Sequence, residues 1–199
     1  MSAPQRDEDD LKPTMTEGYN PGQKKALDEY AQLDANDESL AKWKASLGIT
    51  ADTTGTATGK PEVEILELAL EVAGRDDVVL DLSKAGQLEE LSKKTFTIKE
   101  GAKYRMRVKF RVAGDIISGL RYLQLVKRKG IKVDKRDEMM GSYGPTTNAQ
   151  PYYEKKFAEE EAPSGALYRG TYHVLSRFMD DDQNLYLELK WTFEIKKEW

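Results

Sequence analysis

The chain has no cysteine. Disulfide bridges, thiolate nucleophiles, Cys-ligated zinc and a C-terminal prenylation box are thereby excluded. Histidine is nearly absent too. His173 stands alone, so there is no Cys/His ligand set and no helical HExxH pair. Walker A loops and GxSxG elbows are also missing, and nothing in the chain assembles a catalytic residue set. Long apolar runs are lacking: no stretch approaches the ~20 residues needed to span a bilayer. The first eleven residues carry Asp7, Glu8, Asp9 and Asp10 where a secretory signal would carry an apolar core. The lack of cysteine suits a reducing compartment, and a cytoplasmic location is expected. Basic excess is missing as well; a sequence pI near 5.3 argues against general nucleic-acid binding.

What is present is unevenly placed. The chain of 199 residues carries 31 basic and 35 acidic side chains. Residues 1–60 hold 11 acidic and 7 basic ones, which leaves 24 of each for residues 61–199, so the whole net charge of -4 sits in the first sixty residues. This length allows one domain plus an extension, with residues 1–60 as a flexible arm and residues 61–199 as a domain large enough to bury a core. Residues 1–23 are polar and broken by Pro4, Pro13, Pro21, Gly18 and Gly22, and are expected to be disordered in isolation. Two short helices follow. Leu27, Tyr30 and Ala31 mark the first; Leu40, Trp43 and Leu47 mark the second, with Asn36 as N-cap and Gly48 past its end. Helices of roughly ten residues are marginal alone, so their apolar stripes require a partner surface. Thr50–Gly59 reads as a linker.

Alternation of period two takes over at Val63. Val63–Val72 alternates with one slip at Ile65-Leu66, which predicts a bulge. Val78–Leu82, Thr95–Ile98, Leu120–Lys127, Ile131–Val133 and Gly170–Phe178 read as further strands. Tyr104, Met106, Val108, Phe110 and Val112 alternate with Arg105, Arg107, Lys109 and Arg111, giving one apolar and one basic face. Leu185, Leu187, Leu189, Trp191, Phe193 and Ile195 form the cleanest alternation in the chain. Many short strands, frequent turns and little helix predict a mainly β fold, an antiparallel β-sandwich.

The polar clusters are ambiguous. A lone strand histidine such as His173 is most often structural. Asp180-Asp181-Asp182 has three readings: a solvated hairpin turn, a divalent-metal site lacking EF-hand spacing, or carboxylates that meet an arginine of a protein partner. Glu159-Glu160-Glu161 is either a solvated loop or a surface for a basic peptide. The apolar strand faces are, by default, simple core. An acidic arm on a charge-balanced β-domain fits a protein that grips another protein.

Several segments together resemble the Rho GDP-dissociation inhibitor family. They are Leu33-Asp34 with Asp37-Glu38-Ser39-Leu40, Phe110-Arg111-Val112, Ser118-Gly119, Arg128–Lys135, Met140–Pro145, Glu160-Glu161-Ala162-Pro163, Ser176-Arg177-Phe178 with Asp180-Asp181-Asp182, and Ile195–Trp199. The resemblance runs from about Tyr19 onward. The wording of the arm, Tyr30-Ala31-Gln32-Leu33-Asp34 and Trp43–Gly48, is similar to fungal members. The resemblance implies an immunoglobulin-like β-sandwich preceded by a regulatory arm. It implies a cytosolic, non-enzymatic monomer that forms a 1:1 complex with a prenylated, GDP-loaded Rho, Rac or Cdc42-type GTPase. Such a protein blocks GDP release, extracts the GTPase from membranes in a transient encounter, and keeps it soluble. No cofactor is implied.

By the same resemblance, a geranylgeranyl slot between the sheets is lined by Leu68, Phe96, Tyr104, Ile116, Leu167, Val174 and Trp191. Glu159, Glu160 and Glu161, with Glu154, face the basic tail of the GTPase. Asp134, Asp181 and Asp182 meet an arginine in switch II. Asp37 caps its helix and contacts switch I, while Leu40, Trp43 and Leu47 supply the arm's apolar face. The sequence departs from the animal pattern at Glu138, where an aromatic is common, and at Lys25, Thr95 and Thr171, where serines subject to phosphorylation stand in animal members. Two other readings remain: a prenyl chaperone of the phosphodiesterase-delta type, and an immunoglobulin-like scaffold without a lipid pocket.

Overall fold

A computed structural model describes residue 11, residues 37–39, residue 42, residues 60–84 and residues 86–199. The expected arm helices and linker therefore lie outside the described residues, apart from a helical turn at 38, 39 and 42. In that turn the Asp37 carboxylate accepts the Ser39 N–H at 2.8 Å. The Asp37 side chain thus caps this turn, and Asn36, expected as the N-cap, lies outside the described residues.

From residue 62 the chain runs β1 (Glu62–Val72), β2 (Val78–Asp81), α1 (Gln87–Lys93), β3 (Thr95–Lys99), β4 (Lys103–Ala113), β5 (Ile117–Arg128), β6 (Ile131–Tyr143), β7 (Tyr153–Lys156), β8 (Glu160–Glu161), β9 (Gly170–Met179) and β10 (Leu185–Lys196). The first sheet has the order β2-β1-β4-β7, with β8 also paired to β4; the second has the order β3-β10-β9-β5-β6. Their apolar faces pack into one core that includes Ile65, Val108, Phe110, Val112, Ile117, Leu120, Phe178 and Leu189. The architecture is a β-sandwich. The bulge expected in β1 sits between Ile65 and Glu67.

One pairing departs from the antiparallel expectation. β3 runs parallel to β10, in register from Thr95↔Thr192 to Lys99↔Lys196. The chain reaches this edge through α1, which carries it from β2 in the first sheet to β3 in the second, and the crossover that joins the parallel pair is the long run from β4 to β9. Sequence reading also passes over α1. Seven residues with one buried side chain, Leu91, leave almost no periodic signal. β6 extends ten residues beyond the expected Val133, to Tyr143. It is an edge strand with charged side chains on both faces, a composition that discourages edge-on pairing and hides the strand from a hydrophobicity scan.

The basic face of β4 is answered strand for strand by the acids of β1. Arg107 binds Glu67 at 2.8 Å and Glu71 at 2.9 Å, and lies near Glu154 at 3.5 Å. Arg105 and Lys156 both reach Glu71, at 3.0 and 2.8 Å. Arg111 pairs with Glu64 at 2.5 Å. The register places Glu64 opposite Arg111 and Glu71 opposite Arg105, so the outer face of the first sheet is an ion-pair ladder.

Candidate functional site

Burial along β4 changes from end to end. Val108, Phe110 and Val112 are fully enclosed, whereas Tyr104 and Met106 on the same face are only half-buried. The sheets stand apart at that end and leave a cleft of about 600 Å³, within the ~300–1,000 Å³ usual for ligand sites. The first sheet supplies Leu70, Tyr104, Met106 and the adjoining Phe157; the second supplies Tyr122, Val126, Tyr172, Trp191, Phe193 and Ile195. A smaller apolar cavity of about 40 Å³ adjoins it, lined by Leu68, Leu70, Phe96, Met106, Tyr122 and Trp191 among others. Four of these residues belong to both spaces, so the cavity is the inner end of the cleft.

Aromatic rings stiffen the wall. Tyr172 stacks on Phe193 at 4.9 Å with planes 2° apart, and Trp191 meets Phe96 edge-on at 6.2 Å. The polar atoms in this wall satisfy one another. Trp191 Nε1–H donates to Ser176 Oγ at 3.1 Å. The Tyr122 hydroxyl donates to Gln124 Oε1 at 2.6 Å and lies 2.9 Å from Ser176 Oγ, whose proton completes the chain. Burial pushes the Tyr122 hydroxyl far above its ordinary pKa, so it stays neutral. Among the described residues no buried side-chain nitrogen or oxygen lacks a partner. The inner wall thus presents carbon and ring faces to a guest, while Arg128, Asp134, Arg136, Glu138, Glu160 and Glu161 line other parts of the cleft.

A short segment closes one side of the mouth. Arg128 donates to the carbonyls of Leu167 and Arg169 and lies over the Tyr172 ring. Glu100 accepts from Arg169 at 2.8 and 2.7 Å and from the Gly165 N–H at 3.0 Å. The Arg169 guanidinium and then the Gly165 N–H hold the Glu100 carboxyl at about 2, against an ordinary 4.5. These bonds stabilise the segment fully above pH 4.5, and that stabilisation is lost as pH falls through about 2. A carboxyl-carbon NMR titration is expected to place the Glu100 midpoint well below 4.5; an ordinary midpoint would show that the segment is not held this way.

The mouth has an acidic side. Glu160 accepts from the Tyr104 hydroxyl at 2.7 Å and pairs with Arg136, which also binds Asp134 at 2.9 Å. Glu159 lies 3.3 Å from Lys103, and Glu161 is exposed beside it.

The structure brings some of the expected lining residues together and separates others. Tyr104 and Trp191 line the cleft, and Leu68 and Phe96 line its inner cavity. Val174 is on the inward face of β9, opposite Val126 and Trp191, but is buried among Val126, Tyr172 and Ile195 and does not itself line the cleft. Ile116 lies in the β4–β5 turn, its amide on Asp115, at the end of the sandwich where β4 finishes; the cleft opens where β4 begins. Leu167 is 83% exposed and meets the site through its carbonyl alone. Leu40, Trp43 and Leu47 fall outside the described residues. Reading by residue type missed Tyr122, Met106, Phe157, Tyr172 and Phe193. Each looks like core in sequence: Met106 and Phe193 are half-buried, but Tyr122, Phe157 and Tyr172 are as buried as core residues, and only their place on the cleft wall marks them as lining.

Two comparisons bear on this geometry. Residues 4–198 match the family described as RHO protein GDP dissociation inhibitor. The chain is 47% identical over 178 residues to the Rho GDP-dissociation inhibitor of Schizosaccharomyces pombe, covering 89% of this chain and 85% of that one. It is 43% identical over 183 residues to that of Saccharomyces cerevisiae (90% and 91% covered), and 41% over 185 residues to human Rho GDP-dissociation inhibitor 1 (91% and 86%). The chain belongs to the Rho GDP-dissociation inhibitor family.

Several segments that carry the resemblance to Rho GDP-dissociation inhibitors have a visible physical role here. Asp180 is buried and accepts from the Asn184 N–H, Asn184 Nδ2 and the Tyr186 hydroxyl at 2.8, 2.9 and 2.6 Å, so it staples the β9–β10 turn. Asp181 takes Arg121 Nε at 3.0 Å, and the same guanidinium reaches Asp137 at 3.0 Å. Among the described residues no group of three or more acidic or histidine side chains is arranged to hold a metal. Gly119 has φ +62°, and a Cβ there would lie 1.8 Å from Asp181 Oδ2. Gly119→Ala therefore displaces the Asp181 carboxylate from Arg121 and is expected to cost about 2–4 kcal/mol, read as a lower urea midpoint. An unchanged midpoint would refute the close approach. Glu138 lines the cleft. Thr95 and Thr171 are exposed and alternate with the inward Phe96 and Tyr172, so both face away from the cleft.

Proposed function

We propose that this protein is a Rho GDP-dissociation inhibitor that buries the geranylgeranyl group of a GDP-loaded Rho-family GTPase between its two sheets. One observation carries the reading: an apolar cleft of about 600 Å³, open beside acidic side chains, in a chain of this family. Each buried methylene of a prenyl chain contributes ~0.8 kcal/mol, the same currency in which the bilayer holds it. Leu68, Phe96, Tyr104 and Trp191 contact the lipid, with Val174 supporting the wall. Glu159, Glu160, Glu161 and Glu154 receive the basic tail that precedes the prenylated cysteine. Their attraction brings the lipid attachment point to the mouth.

The arm, residues 1–60, acts on the GTPase body, and residues 61–199 act on the lipid. Asp37 and the apolar stripe of Leu40, Trp43 and Leu47 hold switch I, while Asp134, Asp181 and Asp182 meet a basic side chain of switch II. Holding both switch loops in one arrangement blocks GDP release by population shift. The complex is a 1:1 heterodimer in the cytoplasm, and the protein acts by binding without catalysis. No helix among the described residues is long and apolar enough to cross a membrane.

The test mixes the purified protein with vesicles bearing a geranylgeranylated, GDP-loaded Rho-family GTPase and measures GTPase in the supernatant. Stoichiometric release is expected. No release across several Rho-family members, with the protein folded, would overturn the reading.

A further inference from the structure

Strand β5 is apolar on both of its faces. Tyr122 and Val126 face the cleft; Leu123 and Leu125, out of phase with them, face the outer side of the second sheet. A water-facing sheet surface carries polar residues at such positions, and a strand apolar on both sides implies burial on both sides. Leu123 and Leu125 are indeed 0% and 1% exposed. On the neighbouring strand β9, Arg177 pairs with Leu123 and Leu175 with Leu125.

Leu11 of the arm fills this surface. It is 0% exposed and packs with Leu123, Leu125, Met179 and Leu175. Its main-chain carbonyl accepts a 3.2 Å hydrogen bond from Arg177 Nη1. Arg177 is itself buried, and Glu188 Oε2 orients its guanidinium through Nε at 2.8 Å and Nη2 at 2.7 Å. A buried guanidinium requires acceptors for its donors, and the Leu11 carbonyl supplies one. The site therefore combines an apolar strip with a pre-oriented donor, on the face of the sheet opposite the lipid cleft.

We propose that the outer face of the second sheet is a docking site for the arm's own Leu11 segment, and that its occupancy strengthens the grip on the GTPase body. The second half rests on the dissociation-inhibitor reading. The arm is already joined to β1 at one end. A second attachment at Leu11 confines the Asp37–Leu47 stretch to the neighbourhood of the domain. That raises its effective concentration over a bound GTPase and lowers the entropy lost when it engages. The anchor is also well placed, because β9 leads from Arg177 and Met179 directly into the Asp180–Asp182 turn.

The absence of native cysteine permits a single nitroxide label at Asp10→Cys in the full chain. The label is expected to broaden the methyl signals of Leu123, Leu125 and Met179, and adding Leu11→Asn in the same chain is expected to restore them. Without the label, Leu11→Asn is expected to raise the concentration giving half-maximal inhibition of GDP release about tenfold, the scale of one buried leucine, while binding of a fluorescent geranylgeranyl probe stays unchanged. No broadening, or broadening that survives Leu11→Asn, overturns the docking site. Docking with unaltered inhibition overturns its link to the GTPase. Docking in a protein that inhibits no Rho-family GTPase sinks the dissociation-inhibitor reading and leaves the docking site standing.

Discussion

Trp191→Asp is expected to abolish extraction of prenylated GTPase from membranes while leaving the sandwich folded. Trp191 lies where the cleft joins its inner cavity, edge-on to Phe96 and beside Phe193. A carboxylate there must be desolvated by any apolar guest. That costs several kcal/mol in a closed site, and ~3 kcal/mol already corresponds to about a hundredfold in affinity. Loss of the indole also removes its donation to Ser176. Because Trp191 is only half-buried in the free protein, the penalty falls mainly on the lipid-bound state. Probe titration, with circular dichroism as a control for folding, checks this. Probe binding retained within threefold would place the lipid elsewhere.

Removal of residues 1–60 is expected to separate the two activities. The truncated chain keeps β1 to β10 and the whole cleft, so a fluorescent geranylgeranyl probe should bind nearly as before. Inhibition of GDP release should disappear, because the arm residues proposed to hold switch I are gone. A phosphodiesterase-delta-type chaperone, which reads the lipid and little else, would show no difference between the two chains. A scaffold without a lipid pocket would protect the probe in neither. Stopped-flow release of a fluorescent GDP analogue distinguishes the three outcomes.

The parts of this molecule legible in sequence are those whose environment differs from one face to the other. β4 and β10 declare themselves because one face meets the core and the other meets solvent or ions. The slip in β1 was visible as Ile65-Leu66 and appears as a bulge. β6 was cut short because its residues from Asp134 to Glu138 are charged on both sides, as suits an edge. The parallel placement of β3 was not legible, since pairing direction leaves no mark on alternation. The difference between core and cleft was also invisible. Met106 and Val108 are interchangeable in a hydrophobic pattern, and only the divergence of the sheets leaves one of them half-exposed. Leu123 and Leu125 carried a signal that alternation alone passes over: too much apolar surface for a sheet with one wet face.

The ladder between β4 and β1 bears on how this surface would behave near a bilayer. Arg105, Arg107, Lys109 and Arg111 form a basic stripe that, taken alone, would adhere to anionic headgroups at about 1 kcal/mol per residue. Glu64, Glu67 and Glu71 already occupy those cations. The outer surface of the first sheet is thus electrically quiet toward lipid.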